Sequence, residues 1–129
     1  MTTGMNDPQI VTGSVFDPPD APYFRYLVAR NWPAGVSRGA VDQWDRELAP
    51  SNTLLESWRA DQLNDAEFER QYEAELDQRP ALLGWAVRTA GVNGIVLVDD
   101  TPEEPAPRSV LASILKRRLA LARDGGNDD

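Results

Sequence analysis

The sequence predicts an α/β domain, a small mixed or parallel sheet flanked by helices, and three observations lead there. Two β-patterned stretches open the chain, Ile10–Phe16 ("IVTGSVF") and Tyr23–Arg30 ("YFRYLVAR"). Helical periodicity fills the middle and the end. Between those helical regions lies Ile95–Val98 ("IVLV"), four apolar residues in succession, the pattern of a central parallel strand covered on both faces.

In chain order, residues 1–8 read as a flexible polar leader, 9–123 as the domain, and 124–129 as a disordered acidic tail. The first strand alternates, and the proline-rich "DPPDAP" breaks it as a surface loop does. In the second strand Leu27 and Val28 are the expected buried centre, and Trp32-Pro33 ends it. Asp42–Leu48 has the look of a short helix. Pro50-Ser51 restarts the chain, with Ser51 as N-cap for a helix through Leu54–Trp58. Asn64 and Glu67 form a capping box for a helix whose Phe68, Tyr72 and Leu76 recur at helical spacing and form a core stripe. Pro80 opens another helix, and Gly91 is expected to supply its left-handed stop. The last helix is predicted from Arg108 to about Arg123, with Val110, Leu111, Ile114, Leu115 and Leu119 on one apolar face and Gly125-Gly126 closing it.

A chain of 129 residues fits one core. With 41% hydrophobic residues, four tryptophans and three phenylalanines it can pack that core, so global disorder is excluded. The formal net charge of −8 repels phosphate backbones and anionic lipid, so neither broad nucleic-acid binding nor membrane association is expected. The N-terminal stretch lacks the charged and apolar regions of a signal peptide, and a cytoplasmic location is expected. There is no cysteine and no histidine. That removes disulfides, thiolate nucleophiles, Cys/His zinc sites and the side chain best suited to proton transfer near neutrality. Any acid or base must be a carboxylate, a tyrosine or the only lysine, Lys116. No cofactor is expected.

Two stretches are candidate site elements. The turn "RNWPAGVS" (Arg30–Ser37) sets an arginine and an indole at the end of the second strand. Its structural alternative is an arginine stacked on the indole, or paired with a carboxylate, to lock the loop. The second stretch, "IVLVDDTPEEPAPRSVL", carries a strand into a helix where α/β sheets bind ligands. Arg108 and Ser109 open that helix, where free N–H groups favour an anion. Asp99, Asp100, Glu103 and Glu104 crowd the same loop and oppose one, unless they simply complement the helix terminus or Asp99 and Asp100 hold a Mg²⁺-like cation. Ser113 and Lys116 match a Ser-x-x-Lys spacing, but the helix's apolar stripe and its C-terminal positive charge explain the residues without catalysis. Trp44, Trp58 and Trp85 fall in segments read as helical and are expected to pack against the sheet.

From about Gln9 to Leu121 the chain resembles the bacterial family catalogued as domain of unknown function 488. The resemblance rests on "FDPPD", on "LVARNWPAGVS" where the family shows Val-Asp-Arg-Leu-Trp-Pro-Arg-Gly-Val, on Trp44, "LAPS" (Leu48–Ser51) and Trp58, and on "FERQYEAEL" (Phe68–Leu76). It implies a compact α/β domain related to the rhodanese and phosphatase folds. Where the family carries an aspartate and a second arginine around Trp-Pro, this chain has Ala29 and Ala34. Ala60 or Asp61 stands where the family has a histidine after Trp58, and Ala106-Pro107-Arg108-Ser109 stands where many members carry Cys-His-Arg-Ser or a His-Asn-His stretch. Scaffold positions match and reactive ones do not, so the resemblance implies a non-catalytic, diverged member. The expected ligand-binding residues are Arg30, Trp32, Arg108 and Ser109, lining a remnant pocket for a small anion or a protein partner. The alternatives are a carboxylate-based, metal-assisted enzyme acting on a phosphorylated or nucleotide-like substrate through Asp99, Asp100 and Asp61, and an interaction subunit presenting an aromatic patch around Trp32 or Trp44.

Overall fold

The structure, a computed structural model, describes residues 10–18, 23–102 and 105–126. The predicted leader, the middle of the first proline loop, Glu103, Glu104 and the last three residues of the tail lie outside the described residues.

Among the described residues four strands form one sheet: β1 (Ile10–Ser14), β2 (Phe24–Leu27), β3 (Gln43–Trp44) and β4 (Ile95–Asp99). Their order is β1-β4-β2-β3, and every pairing is parallel. Ile95 sits between Ile10 of β1 and Phe24 of β2, which fixes the register of the three longer strands. Every residue of β4 is buried, as its unbroken apolar run requires of a central strand. Its side chains alternate between two clusters. Ile95 and Leu97 join Tyr26 and Val28 beneath the helices, while Val96 and Val98 join Leu27 and Val15 on the opposite face. That second face is covered by Trp32, Val36 and Val41 from the segment between β2 and β3 and by Trp44 of β3.

The helices are α1 (Asn52–Arg59), α2 (Asp65–Asp77), α3 (Pro80–Asn93) and α4 (Pro107–Gly126). Ser51 caps α1, its hydroxyl oxygen accepting from the Leu54 amide at 3.2 Å, and the Glu75 carboxylate accepts from the Ser51 hydroxyl at 2.6 Å. The Asn64–Glu67 capping box opens α2 as its spacing predicts. Phe68, Tyr72 and Leu76 are all buried; Phe68 stacks on Trp58 with ring centroids 3.8 Å apart. Tyr72 donates its hydroxyl to the Leu48 carbonyl at 2.5 Å, and burial pushes its pKa up, so it remains a neutral donor. Arg117 and Arg118 of α4 pair with Glu69, Glu73 and Asp77 of α2 on the surface.

Three elements differ from the sequence expectation. Asp42–Leu48 is not a helix, and Trp44 lies on a strand: β3 occupies Gln43–Trp44, followed by one 3-10 turn at Arg46–Leu48. Pairing across the sheet overrides the local pattern here. Asp42 accepts from the Arg25 amide through its carboxylate and donates its own amide to the Arg25 carbonyl, both at 2.8 Å, while the Trp44 indole donates to the Ala29 carbonyl. The stop of α3 is Gly94 rather than Gly91. Gly94 has φ 79° and ψ 154°, a region only glycine occupies readily, and a Cβ there would lie 2.6 Å from the Tyr23 ring. Gly91 stays helical and gives room for Leu119, since a Cβ there would come within 2.9 Å of its methyl. The last helix begins one residue earlier than predicted, at Pro107, and continues through Gly126.

Candidate functional site

β4 lies between β1 and β2, so the loops leaving β2 and β4 emerge side by side at the C-terminal edge of the sheet. A groove of about 170 Å³ opens there, lined by Ala29, Arg30, Pro50, Arg59, Asp99, Asp100 and Thr101 among others. A second cavity of about 640 Å³ adjoins it, lined by Trp58, Arg59, Asp61, Leu63, Asn64, Asp65, Thr101, Pro102 and Pro105. Arg59 and Thr101 line both, so the two form one trough.

The start of α4 is already occupied by the chain's own carboxylate. Asp99, the last residue of β4, is 2% exposed, and one of its oxygens accepts from the Arg108 amide at 3.2 Å. The other accepts from the Thr101 amide at 3.0 Å and forms an ion pair with the Arg108 guanidinium. Arg108 Nη1 also donates to the Thr101 carbonyl at 2.9 Å. The remaining first-turn amides are committed as well: Pro107 has none, and both Ser109 and Val110 donate to the Ala106 carbonyl, at 3.0 and 3.2 Å. Burial pushes the Asp99 carboxyl above the ordinary aspartate range, and the hydrogen bonds from Thr101 and Arg108 only partly offset it.

Arg30 is held in the same manner. Its Nε donates to the Pro50 carbonyl at 3.0 Å and its Nη2 to the Ala49 carbonyl at 3.2 Å, while Nη1 lies 3.4 Å from Glu47. These bonds tie the end of β2 to the entry of α1. Arg79 grips the same Glu47 oxygen at 2.9 Å, and its hydrogen bond, with Arg30 nearby, holds the Glu47 carboxyl below its ordinary range.

The four residues expected to line one pocket therefore separate. Arg30 lines the groove, whereas Arg108 and Ser109 follow Pro107 in the first turn of α4 and do not line it. Trp32 packs on the opposite face of the sheet, edge-on to Trp44 at 5.4 Å, with its indole donating to the Val36 carbonyl and the Arg38 guanidinium 4.6 Å above its ring. Arg38, not Arg30, is the arginine that stacks on this indole.

Of the carboxylates considered for metal chemistry, Asp99 is bound to Arg108, whereas Asp100 and Asp61 are exposed. Among the described residues no three acidic side chains are placed to hold a metal ion. Ser113 and Lys116 are exposed on α4.

Two features were not expected from the sequence. Arg25, on β2, is 7% exposed and donates to the carbonyls of Ala40, Val15 and Asp17 at 2.6, 3.0 and 2.7 Å, clamping two loops onto the second face of the sheet. Nothing in "YFRYLVAR" distinguishes it from a surface arginine. The second feature is the larger cavity itself. Asp61, which follows α1, stands in the left-handed region at φ 62°, where asparagine, aspartate and glycine are tolerated. One oxygen of Asp65 accepts from the Trp58 indole at 2.9 Å, which orients that carboxylate at the cavity wall.

Among the described residues no helix is long and apolar enough to cross a membrane. No solved structure matches the chain. Over 67 residues it is 39% identical to the uncharacterized protein YeaO of Escherichia coli strain K12, covering 50% of this chain and 58% of that relative. The chain thus spans well under two thirds of the curated relative it matches. Residues 9–128 match the profile of the inactive DUF488-N3 subclade, and the chain belongs to that family.

Proposed function

We propose that this chain is a non-catalytic cytoplasmic binding domain that engages a protein partner along the trough at the C-terminal edge of its sheet. The observation that carries the reading is the state of the α4 terminus. A helix start with free amides and a nearby arginine is an anion site in many α/β proteins. Here Asp99 takes the Arg108 amide and guanidinium, and the Ala106 carbonyl takes the next two amides. A phosphate or sulfate would have to expel a buried carboxylate to enter. Arg30, the other candidate for gripping an anion, spends its donors on two carbonyls and Glu47.

The reactive groups are missing as well. The chain has no cysteine or histidine, and its buried tyrosines serve as neutral hydrogen-bond donors, which leaves the site without a thiolate or imidazole to act as nucleophile or base. The trough remains accessible, large enough for side chains of a partner and walled by both apolar and charged groups. The test pairs turnover with binding. Assays with p-nitrophenyl phosphate and nucleoside triphosphates are expected to show no activity, and phosphate, sulfate or nucleotides no saturable stabilisation. Saturable turnover abolished by Arg108→Ala, or saturable phosphate binding at the α4 terminus, would overturn the reading.

A further inference from the structure

We infer that the trough receives an extended basic segment of a partner protein, with an arginine or lysine side chain seated between Asp61 and Asp65. The inference rests on the binding-domain reading above and names the chemistry of its partner. Leu63, Pro102 and Pro105 give the larger cavity an apolar wall suited to an aliphatic stem, and Asp61 and Asp65 set carboxylates beside it. Asp65 is oriented by the Trp58 indole, which uses one carboxylate oxygen and leaves the other for a donor from a ligand. Asp100 adds an exposed carboxylate in the adjoining groove.

The charges opposing a cation are few. Among the described lining residues Arg59 is the exposed cation, and its Nη2 lies 3.4 Å from the Thr101 hydroxyl. Arg30 is turned into the carbonyls of Ala49 and Pro50. The net charge of −8 draws a basic partner toward the molecule and repels an acidic one.

The test uses the full chain with blocked tetra-arginine, tetra-lysine, tetra-glutamate and Gly-Ser peptides, read by NMR at the Trp58 indole N–H and the Thr101 amide. The basic peptides are expected to shift both signals saturably, with affinity falling as salt rises. Asp61→Asn keeps a residue that tolerates the left-handed backbone and is expected to weaken binding about fivefold, the scale of one close exposed charge pair. Asp77→Asn makes the same charge change twelve residues along α2 from Asp65, about 18 Å away, and is expected to leave affinity within about twofold.

Equal weakening by both substitutions would show diffuse attraction and overturn the inference. Shifts in the trough from the tetra-glutamate or Gly-Ser peptide alone would overturn the basic partner while leaving the binding-domain reading standing. Silence of the trough to all four peptides, together with turnover of a phosphate ester, would overturn both.

Discussion

Replacing Asp99 with alanine removes the acceptor that closes the start of α4, and its cost can be worked from the contacts. Asp99 is 2% exposed and Arg108 8%, so the pair is shielded from water. Removing one member of a buried ion pair costs about 3–5 kcal/mol. The Thr101 and Arg108 amides also lose their acceptor, but water entering the vacated space can meet them, so about 4 kcal/mol is the expected total. With an unfolding entropy of about 2.1 cal/mol/K per residue, that lowers the midpoint of a 129-residue chain by about 15 °C. Circular dichroism melts at neutral pH measure it. The vacated space is the size of a carboxylate, lined by amides and a guanidinium, so formate should restore part of the loss. At about ten times its Kd the recovery is about 1.4 kcal/mol, or about 5 °C. Formate should do nothing for the native chain. A loss below about 1 kcal/mol, or equal stabilisation of native and variant chains by formate, would refute the reasoning.

Four further outcomes follow from the same geometry. Asp99→Asn keeps the size and one acceptor oxygen and should cost less than half as much as alanine, in the same melts. Carboxyl NMR titrations should place Asp99 above and Glu47 below their ordinary values. The raised Asp99 value favours the protonated folded state, so its contribution to stability falls as pH rises through its folded pKa; the lowered Glu47 value gives stability that is lost as pH falls through its own. Gly94→Ala should cost about 2 kcal/mol or more, since it forces a Cβ into a glycine-only backbone region against Tyr23, whereas Gly91→Ala should stay within about 1 kcal/mol because a flexible leucine methyl can yield and alanine favours the helix, both read by urea denaturation. Asp61→Gly should raise stability by about 0.5–1 kcal/mol through relief of the left-handed backbone, and should weaken tetra-arginine binding in the peptide titration.

Local signals carried much of the fold. Ser51, the Asn64–Glu67 pair and Pro80 announce helix starts through bonds or φ preferences that span only a few residues, and each stands where it was read. The run Ile95–Val98 announced the central strand because no half-exposed strand can be apolar on both faces. What the sequence hid depends on pairing between distant segments. β3 is held where it is because Asp42 bonds to Arg25 of β2, seventeen residues earlier, and Trp44 to Ala29 just beyond that strand. The choice between Gly91 and Gly94 turned on Leu119 and Tyr23, one on another helix and one ahead of β2.

Of the candidate site, the end of β4 was legible as a strand running into a helix, and a groove opens there, but nothing local says on which face Trp32 packs or that Arg25 is buried. A turn beside a strand can fold to either side, and here the half-exposed Trp44 and the Val36 carbonyl draw the indole away from the groove. The acids at the end of β4 read foremost as helix-end charge, with a cation site as the minor alternative. Among the described residues, tertiary geometry shows Asp99 turned inward to Arg108 and Asp100 exposed.

The central claim is that the first-turn amides of α4 in the native chain are already taken by the chain's own acceptors. A phosphate titration of the native protein, followed by NMR at the Arg108, Ser109 and Val110 amides, tests it most directly. The account predicts that these signals do not move saturably, because Asp99 and the Ala106 carbonyl hold all three amides. Saturable shifts at Arg108 and Ser109, accompanied by release of Asp99 seen in its own carboxyl resonance, would contradict it.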